Sequence, residues 1–166
     1  MISDPSGSTR RQVLKTAVAV LCCAGVKAGP ASASSSKTVD QITDPTATAA
    51  ENMFRFEPDF VTLSPGDELT FLNSRSDHTV HSVPELWPEG VPMVKIAHKK
   101  EAGVRFDREG FYGFRCRRHG QYGMVMLVVV GRPGGAADLR PVLETMRAKT
   151  RERAGFARLL DRYERS

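Results

Sequence analysis

Cys116, His119 and Met124 place a thiolate, an imidazole and a thioether on one short stretch, Cys-Arg-Arg-His-Gly-Gln-Tyr-Gly-Met. Two residues separate the first pair and four the second, and the run Met124-Val-Met-Leu-Val-Val-Val130 begins at once. These are three of the four ligands of a mononuclear copper centre that passes single electrons. The thiolate holds the metal tightly, and the thioether stands at a long axial distance. The compromise shape suits Cu(I) and Cu(II) about equally, so little rearranges when an electron moves. A second imidazole must come from elsewhere, and His78 or His81 can supply it. A buried Cys, a surface His and a core Met brought close by chance would share this pattern. The copper reading gains from the setting, because the triplet lies between two strand-like runs in a chain that supplies the missing parts.

The cysteine count sharpens the reading. The chain has 166 residues and three Cys, two of them (Cys22 and Cys23) in a stretch that reads as a cleaved leader. Thr9-Arg10-Arg11-Gln12-Val13-Leu14-Lys15 is similar to a twin-arginine export signal, a mild apolar stretch covers 17–26, and Ala31-Ser32-Ala33 offers a cleavage site. That apolar stretch is too short to span a membrane. No small residue immediately precedes Cys22, which argues against lipidation. With residues 1–33 removed, Cys116 stands alone, so an exported chain cannot spend it on an internal disulfide. Four of the 24 basic residues and one of the 19 acidic residues fall in the leader, which lowers the formal net charge from +5 to +2. That is too weak for a general nucleic-acid binder.

The elements that must position the donors are short. Strand-like runs cover 37–43, 53–56, 60–63, 68–72, 78–82, 102–106, 111–116 and 124–130, punctuated by Gly and Pro. Ser64-Pro65-Gly66-Asp67 is a tight turn, 73–77 a polar loop, and 84–92 an irregular loop around Trp87. Residues 46–51 read as loop, and 94–100 give no clear pattern. The run 124–130 is apolar at every position, which fits a strand covered on both faces. Such a pattern predicts a mainly β sandwich or barrel. Beyond Gly131 the period changes. Leu139, Val142, Leu143 and Met146, then Phe156, Leu159, Leu160 and Tyr163, recur at helical spacing. Two amphipathic helices should pack on the sandwich, with Asp138 capping the first and Pro141 tolerated in its first turn. The chain thus divides into a leader (1–33), a β domain (34–133) and a helical extension on the same domain (134–166).

Several stretches together resemble the pseudoazurin family. They are Phe56-Glu57-Pro58, Pro65-Gly66-Asp67, His78-x-Val80-x-Ser82, Pro88-Glu89-Gly90, Gly110-x-Tyr112 and the Cys116–Met124 loop. The likeness runs from about Met53 to the C-terminus, and the loop length separates it from azurin, plastocyanin and amicyanin. The resemblance implies a Greek-key cupredoxin sandwich holding one type 1 copper per chain through His78, Cys116, His119 and Met124. It also implies a monomeric electron carrier in the periplasm. Its partners would be redox proteins such as nitrite reductase, nitrous oxide reductase, cytochromes or dehydrogenases, docking at an exposed His119 edge. Thr79 stands where the family has Asn beside the first His ligand, Arg118 stands where it has Pro before the second, and His81 has no counterpart.

Other residues have blander readings. His78 and His81 are three apart on a strand and point to opposite faces, so one metal cannot easily take both. The resemblance selects His78 and leaves His81 a surface or loop-packing residue. His98, among Lys95, Lys99 and Lys100, is most simply solvated, and Met126 reads as a core residue facing away from Met124. Lys95, Lys99, Lys100, Arg115, Arg117 and Arg118 could ring the copper edge or simply be solvated charge. A thiol enzyme would need an orienting Asp or Asn and an oxyanion hole, and a multicopper enzyme would need more than four His. The expectation is therefore a carrier and not an enzyme, with a periplasmic copper-binding or delivery protein as the alternative.

Overall fold

The structure, a computed structural model, describes residues 36–72 and 78–166. The expected export leader and the polar loop over 73–77 lie outside them. Among the described residues, nine strands form two sheets. The first orders β2 (Phe54–Glu57), β1 (Ser36–Thr43), β4 (Asp67–Leu72) and β7 (Glu101–Phe106). The second orders β3 (Phe60–Leu63), β9 (Val125–Val130), β8 (Gly110–Arg115), β5 (Thr79–Ser82) and β6 (Lys95–Ala97). Both sheets are mixed, because β1 runs parallel to β4 and β3 parallel to β9 while the other pairs are antiparallel. The sheets stack as a sandwich and do not close into a barrel.

The strands follow from alternation. Leu69 and Phe71 of β4 are buried, with Thr70 and Leu72 partly exposed on the other face. They meet Phe56, Val80, Phe106, Tyr112, Phe114, Met126 and Val128 in the core between the sheets. Strand β9 is buried at all six positions. Met126, Val128 and Val130 enter the inter-sheet core, while Val125, Leu127 and Val129 enter a second core beneath the C-terminal helices. The unbroken apolar run is therefore that of a strand with two covered faces. Each such side chain contributes about 1.5–3 kcal/mol of burial, so the helices are integral to the stability of the sheet they cover.

Those helices are α2 (Leu139–Thr145) and α3 (Thr150–Glu164), preceded by a one-turn helix α1 (Ala50–Met53) between β1 and β2. Leu143, Met146, Phe156, Leu159 and Leu160 are buried against β9 and its neighbours. Pro141 lies in the first turn of α2, where its missing N–H costs nothing. Asp138 occupies the N-cap position but makes no side-chain cap bond, because the chain enters α2 from a 3₁₀ turn with Asp138 already in helical geometry. The expected cap is thus absent. The loop read over 46–51 gives way to α1 at residue 50, and the patternless stretch 94–100 contains the short edge strand β6. Pro84–Leu86 form one 3₁₀ turn inside the loop before Trp87.

Candidate metal centre

Topology brings the donors to one end of the second sheet. β5 and β9 are both antiparallel to β8, so the start of β5, the end of β8 and the start of β9 coincide. His78 immediately precedes β5, Cys116 follows β8 and Met124 precedes β9. The connecting loop is tied by its own backbone. Cys116 N donates to Met124 O (3.1 Å), Gly120 N to Cys116 O (2.8 Å) and Met124 N to His119 O (3.2 Å). Gly123 closes the loop at φ 99°, a left-handed geometry that favours glycine.

Cys116 Sγ lies 3.9 Å from His78 Nδ1 and 3.7 Å from His119 Nδ1, and the two Nδ1 atoms are 3.1 Å apart. Donor atoms this close together could all hold one ion at about 2.0–2.1 Å from nitrogen and about 2.3 Å from sulfur, and two imidazoles with one thiolate are the donor set of a His₂Cys copper site. Met124 is fully buried in the same apolar cluster as Cys116. Among the described residues, His78, Cys116 and His119 form a cluster able to hold a metal ion, and all three are buried.

Neighbouring groups orient these donors. His78 Nε2 pairs with Thr43 Oγ1 at 2.8 Å. With a metal on Nδ1, Nε2 would carry the hydrogen and Thr43 would accept it, which would fix tautomer and ring angle. Phe54 stacks face to face on His119, with centroids 3.9 Å apart and planes 2° apart. Thr79 Oγ1 accepts a bond from Arg117 N at 3.0 Å and stands 3.8 Å from Cys116 Sγ. Its hydroxyl hydrogen is then available to the sulfur, so Thr79 links β5 to the ligand loop despite replacing an amide side chain. At Arg118 the loop turns without proline, and Gln121 Nε2 reaches the Arg118 carbonyl at 3.4 Å.

The structure separates the histidines. His78 is in the cluster, whereas His81 is outside it and lines an outer concavity with Lys95, Arg115, Cys116, Arg117 and Glu152. Burial first, then the charges of Lys95, Arg117 and Arg115, hold the His81 pKa below 6.5. His98 is exposed and has left-handed backbone, φ 56°. Two expectations need correction. Met126 does not face away from Met124: both are buried in the inter-sheet core, because residues two apart on a strand share a face. His119 is only 7% exposed, since Phe54 covers one of its faces. Thr43 and Phe54 were missed in the sequence because both are remote from the motif and ordinary in type.

With the geometry in place, comparison with known proteins is informative. A family model described as copper binding proteins, plastocyanin/azurin family, matches residues 44–131. The chain belongs to that family. A pseudoazurin from Methylorubrum extorquens is 46% identical over 79 residues, 48% of this chain and 53% of the relative. One from Paracoccus pantotrophus is 36% identical over 98 residues, 59% of this chain and 67% of the relative. The chain spans about half the length of the first of these. The crystal structure of pseudoazurin from Methylobacterium extorquens superposes with TM-score 0.65 at 30% identity, covering 78% of this chain and 99% of that one. Native pseudoazurin from Hyphomicrobium denitrificans gives 0.65 at 29% identity, covering 77% and 98%. Family, fold and donor set together make the chain a blue copper protein of pseudoazurin type. Among the described residues, no helix is long and apolar enough to cross a membrane.

Proposed function

We propose that the chain is a one-electron carrier that binds one type 1 copper through His78, Cys116, His119 and Met124. The observation that carries this reading is the buried triangle of one sulfur and two nitrogens, 3.1–3.9 Å on a side. Copper in such a site supplies a Cu(I)/Cu(II) couple with little change of shape. The protein's own contribution is to hold the donors still and keep water out. Thr43 fixes the His78 ring, the loop's backbone bonds fix Cys116 and His119, and the apolar cluster around Met124 excludes solvent. A closed, buried donor set suits retention of the metal and disfavours a delivery role, which would need an open site. The chain is read as a carrier that acts on other redox proteins and not as an enzyme.

Residues 1–33 are read as a twin-arginine-type export leader, so the carrier would work in the periplasm, with 34–133 as the cupredoxin domain and 134–166 as its helical extension. Its partners would be reductases, dehydrogenases or cytochromes meeting a monomer at the His119 end.

Adding Cu(II) to metal-free protein tests the reading. An intense visible charge-transfer band at one copper per chain is expected, lost in Cys116→Ser and in His78→Ala but kept in His81→Ala. A colourless product, or a Cys116→Ser variant that stays blue, overturns the ligand assignment.

A further inference from the structure

Glu152 is only 4% exposed although it lies on a surface helix. A carboxylate is rarely buried so far without a charged partner. It stands in the first turn of α3, and its Oε1 accepts a hydrogen bond from Arg115 Nη1 at 3.0 Å. Arg115 is the residue before Cys116. The other carboxylate oxygen would lie 3.4 Å from a Cβ placed on Gly120, the residue after His119. One turn further on, a Cβ on Gly155 would stand 2.6 Å from Val125 Cγ2 and 3.7 Å from the Gly123 carbonyl. Gly123 and Val125 flank Met124 on either side. One end of one helix therefore touches the chain beside each of the three donors of the loop.

We propose that the N-terminal part of α3 is a brace that holds the ligand loop in its metal-binding shape before metal arrives, with Glu152 as the positioning residue. The proposal deepens the copper reading and rests on it for the meaning of the loop. The loop gains from outside support, because Arg117, Arg118 and Gln121 are exposed and Tyr122 is exposed too, though its ring meets Phe54. Its own backbone bonds close it into a ring, which Thr79 ties to β5 through Arg117 N. Glu152 adds a second tie through Arg115, at the point where β8 ends. The absence of a side chain at Gly155 lets the helix approach Val125 this closely. A site must be held by groups that are themselves locked by packing, and α3 is locked by Phe156, Leu159 and Leu160 in the second core.

The test is amide hydrogen exchange on metal-free protein. The reporters are the hydrogen-bonded amides of Cys116, Gly120, Gly123 and Met124. Glu152→Ala should speed exchange at these four by about tenfold while leaving the β4–β7 ladder unchanged. Glu152→Gln, which keeps the shape and one hydrogen bond, should restore part of the protection. Gly155→Ala, which lifts the helix from Val125, should reproduce the loss. Asp161→Ala, on the same helix but paired with Arg140, should have no effect on the loop. Four loop amides within about twofold of wild type in Glu152→Ala would overturn the brace, as would equal acceleration in β4–β7. Should Glu152→Ala not fold, native loop exchange in both Gly155→Ala and Glu152→Gln overturns it. Because the readout needs no metal, the brace is judged separately from the copper reading, which fails if copper-treated wild type stays colourless.

Discussion

Thr43 and Phe54 are partnered across the β1–β2 ladder, and each touches one of the two clustered imidazoles. Thr43 Oγ1 lies 2.8 Å from His78 Nε2, and the Phe54 ring stacks at 3.9 Å on His119. The donors come from the second sheet, while this pair comes from the end of the first. The sandwich therefore does more than carry the loop: one sheet presents the clustered side chains, and the other meets the two imidazoles. The site depends on the packing of the two sheets against each other, and so on cross-sheet contacts such as Phe71–Phe114.

Thr43→Val removes the acceptor that orients His78 and leaves an imidazole N–H buried without it. Loss of such a partner lowers metal affinity about 10- to 100-fold. Competitive copper titration should show that loss in Thr43→Val and near-native affinity in Thr43→Ser, which keeps the hydroxyl. Equal affinities for wild type and Thr43→Val would remove Thr43 from the site.

Phe54→Leu keeps an apolar cover over His119 but deletes the ring face. The imidazole carries more positive charge when its metal is oxidised, and an aromatic face stabilises nearby positive charge by about 0.5–1 kcal/mol. Leucine should therefore favour the reduced state, raising the potential by a two- to fivefold change in the one-electron equilibrium. Phe54→Tyr should stay near wild type. Voltammetry of the copper form decides this, and a potential that falls or does not move in Phe54→Leu rules out the ring-face effect.

The contrast between the motif and its supports explains what could be read from the chain. Cys116, His119 and Met124 were legible because they are rare residue types at fixed spacing in one loop. Strand β9 was legible because Val125–Val130 has no polar position to hide the two covered faces. Thr43 and Phe54 were not, because their roles exist only after β1–β2 folds onto the other sheet, 35 residues separating Thr43 from His78. Glu152 lay in a segment whose charges read as a solvated helix face. Its burial is set by Arg115, 37 residues away. Helix periodicity located the apolar side of α3 but cannot reveal which charged residue meets a loop.

His81 offers a pH test with a definite sign. Its pKa is held below 6.5, first by burial and then by Lys95, Arg117 and Arg115. The unfolded chain thus takes up a proton at higher pH than the folded chain does. Stability from this group is intact above about pH 6.5 and falls as pH drops below it, until the folded pKa is passed. The NMR titration of the His81 ring should have a midpoint below 6.5, and Lys95→Gln should raise it. Urea midpoints should fall less between about pH 7.5 and pH 5 in His81→Asn than in wild type. A wild-type midpoint at or above 6.5 contradicts the crowding of charge at this concavity.

β6 is antiparallel to β5, so the turn after β6 lies at the same end as His78. That turn carries Lys99 and Lys100, both exposed, and the ligand loop adds exposed Arg117 and Arg118. Tyr122 and Met93 are the exposed large apolar residues of the described chain, at 38% and 51%. Two recognition modes thus compete, one electrostatic and one apolar. Charges steer encounters but are screened beyond roughly 8 Å at physiological salt. If the lysines guide docking, electron transfer with an acidic partner should slow as salt rises. Lys99→Glu with Lys100→Glu should then slow it at low salt while leaving the visible spectrum of the copper form intact. Tyr122→Ser should weaken the complex equally at all salt concentrations. Stopped-flow rates with one acidic and one basic electron donor across a salt series separate the modes. A flat dependence with both donors, or faster transfer with the basic one, would assign docking to the apolar surface at Tyr122.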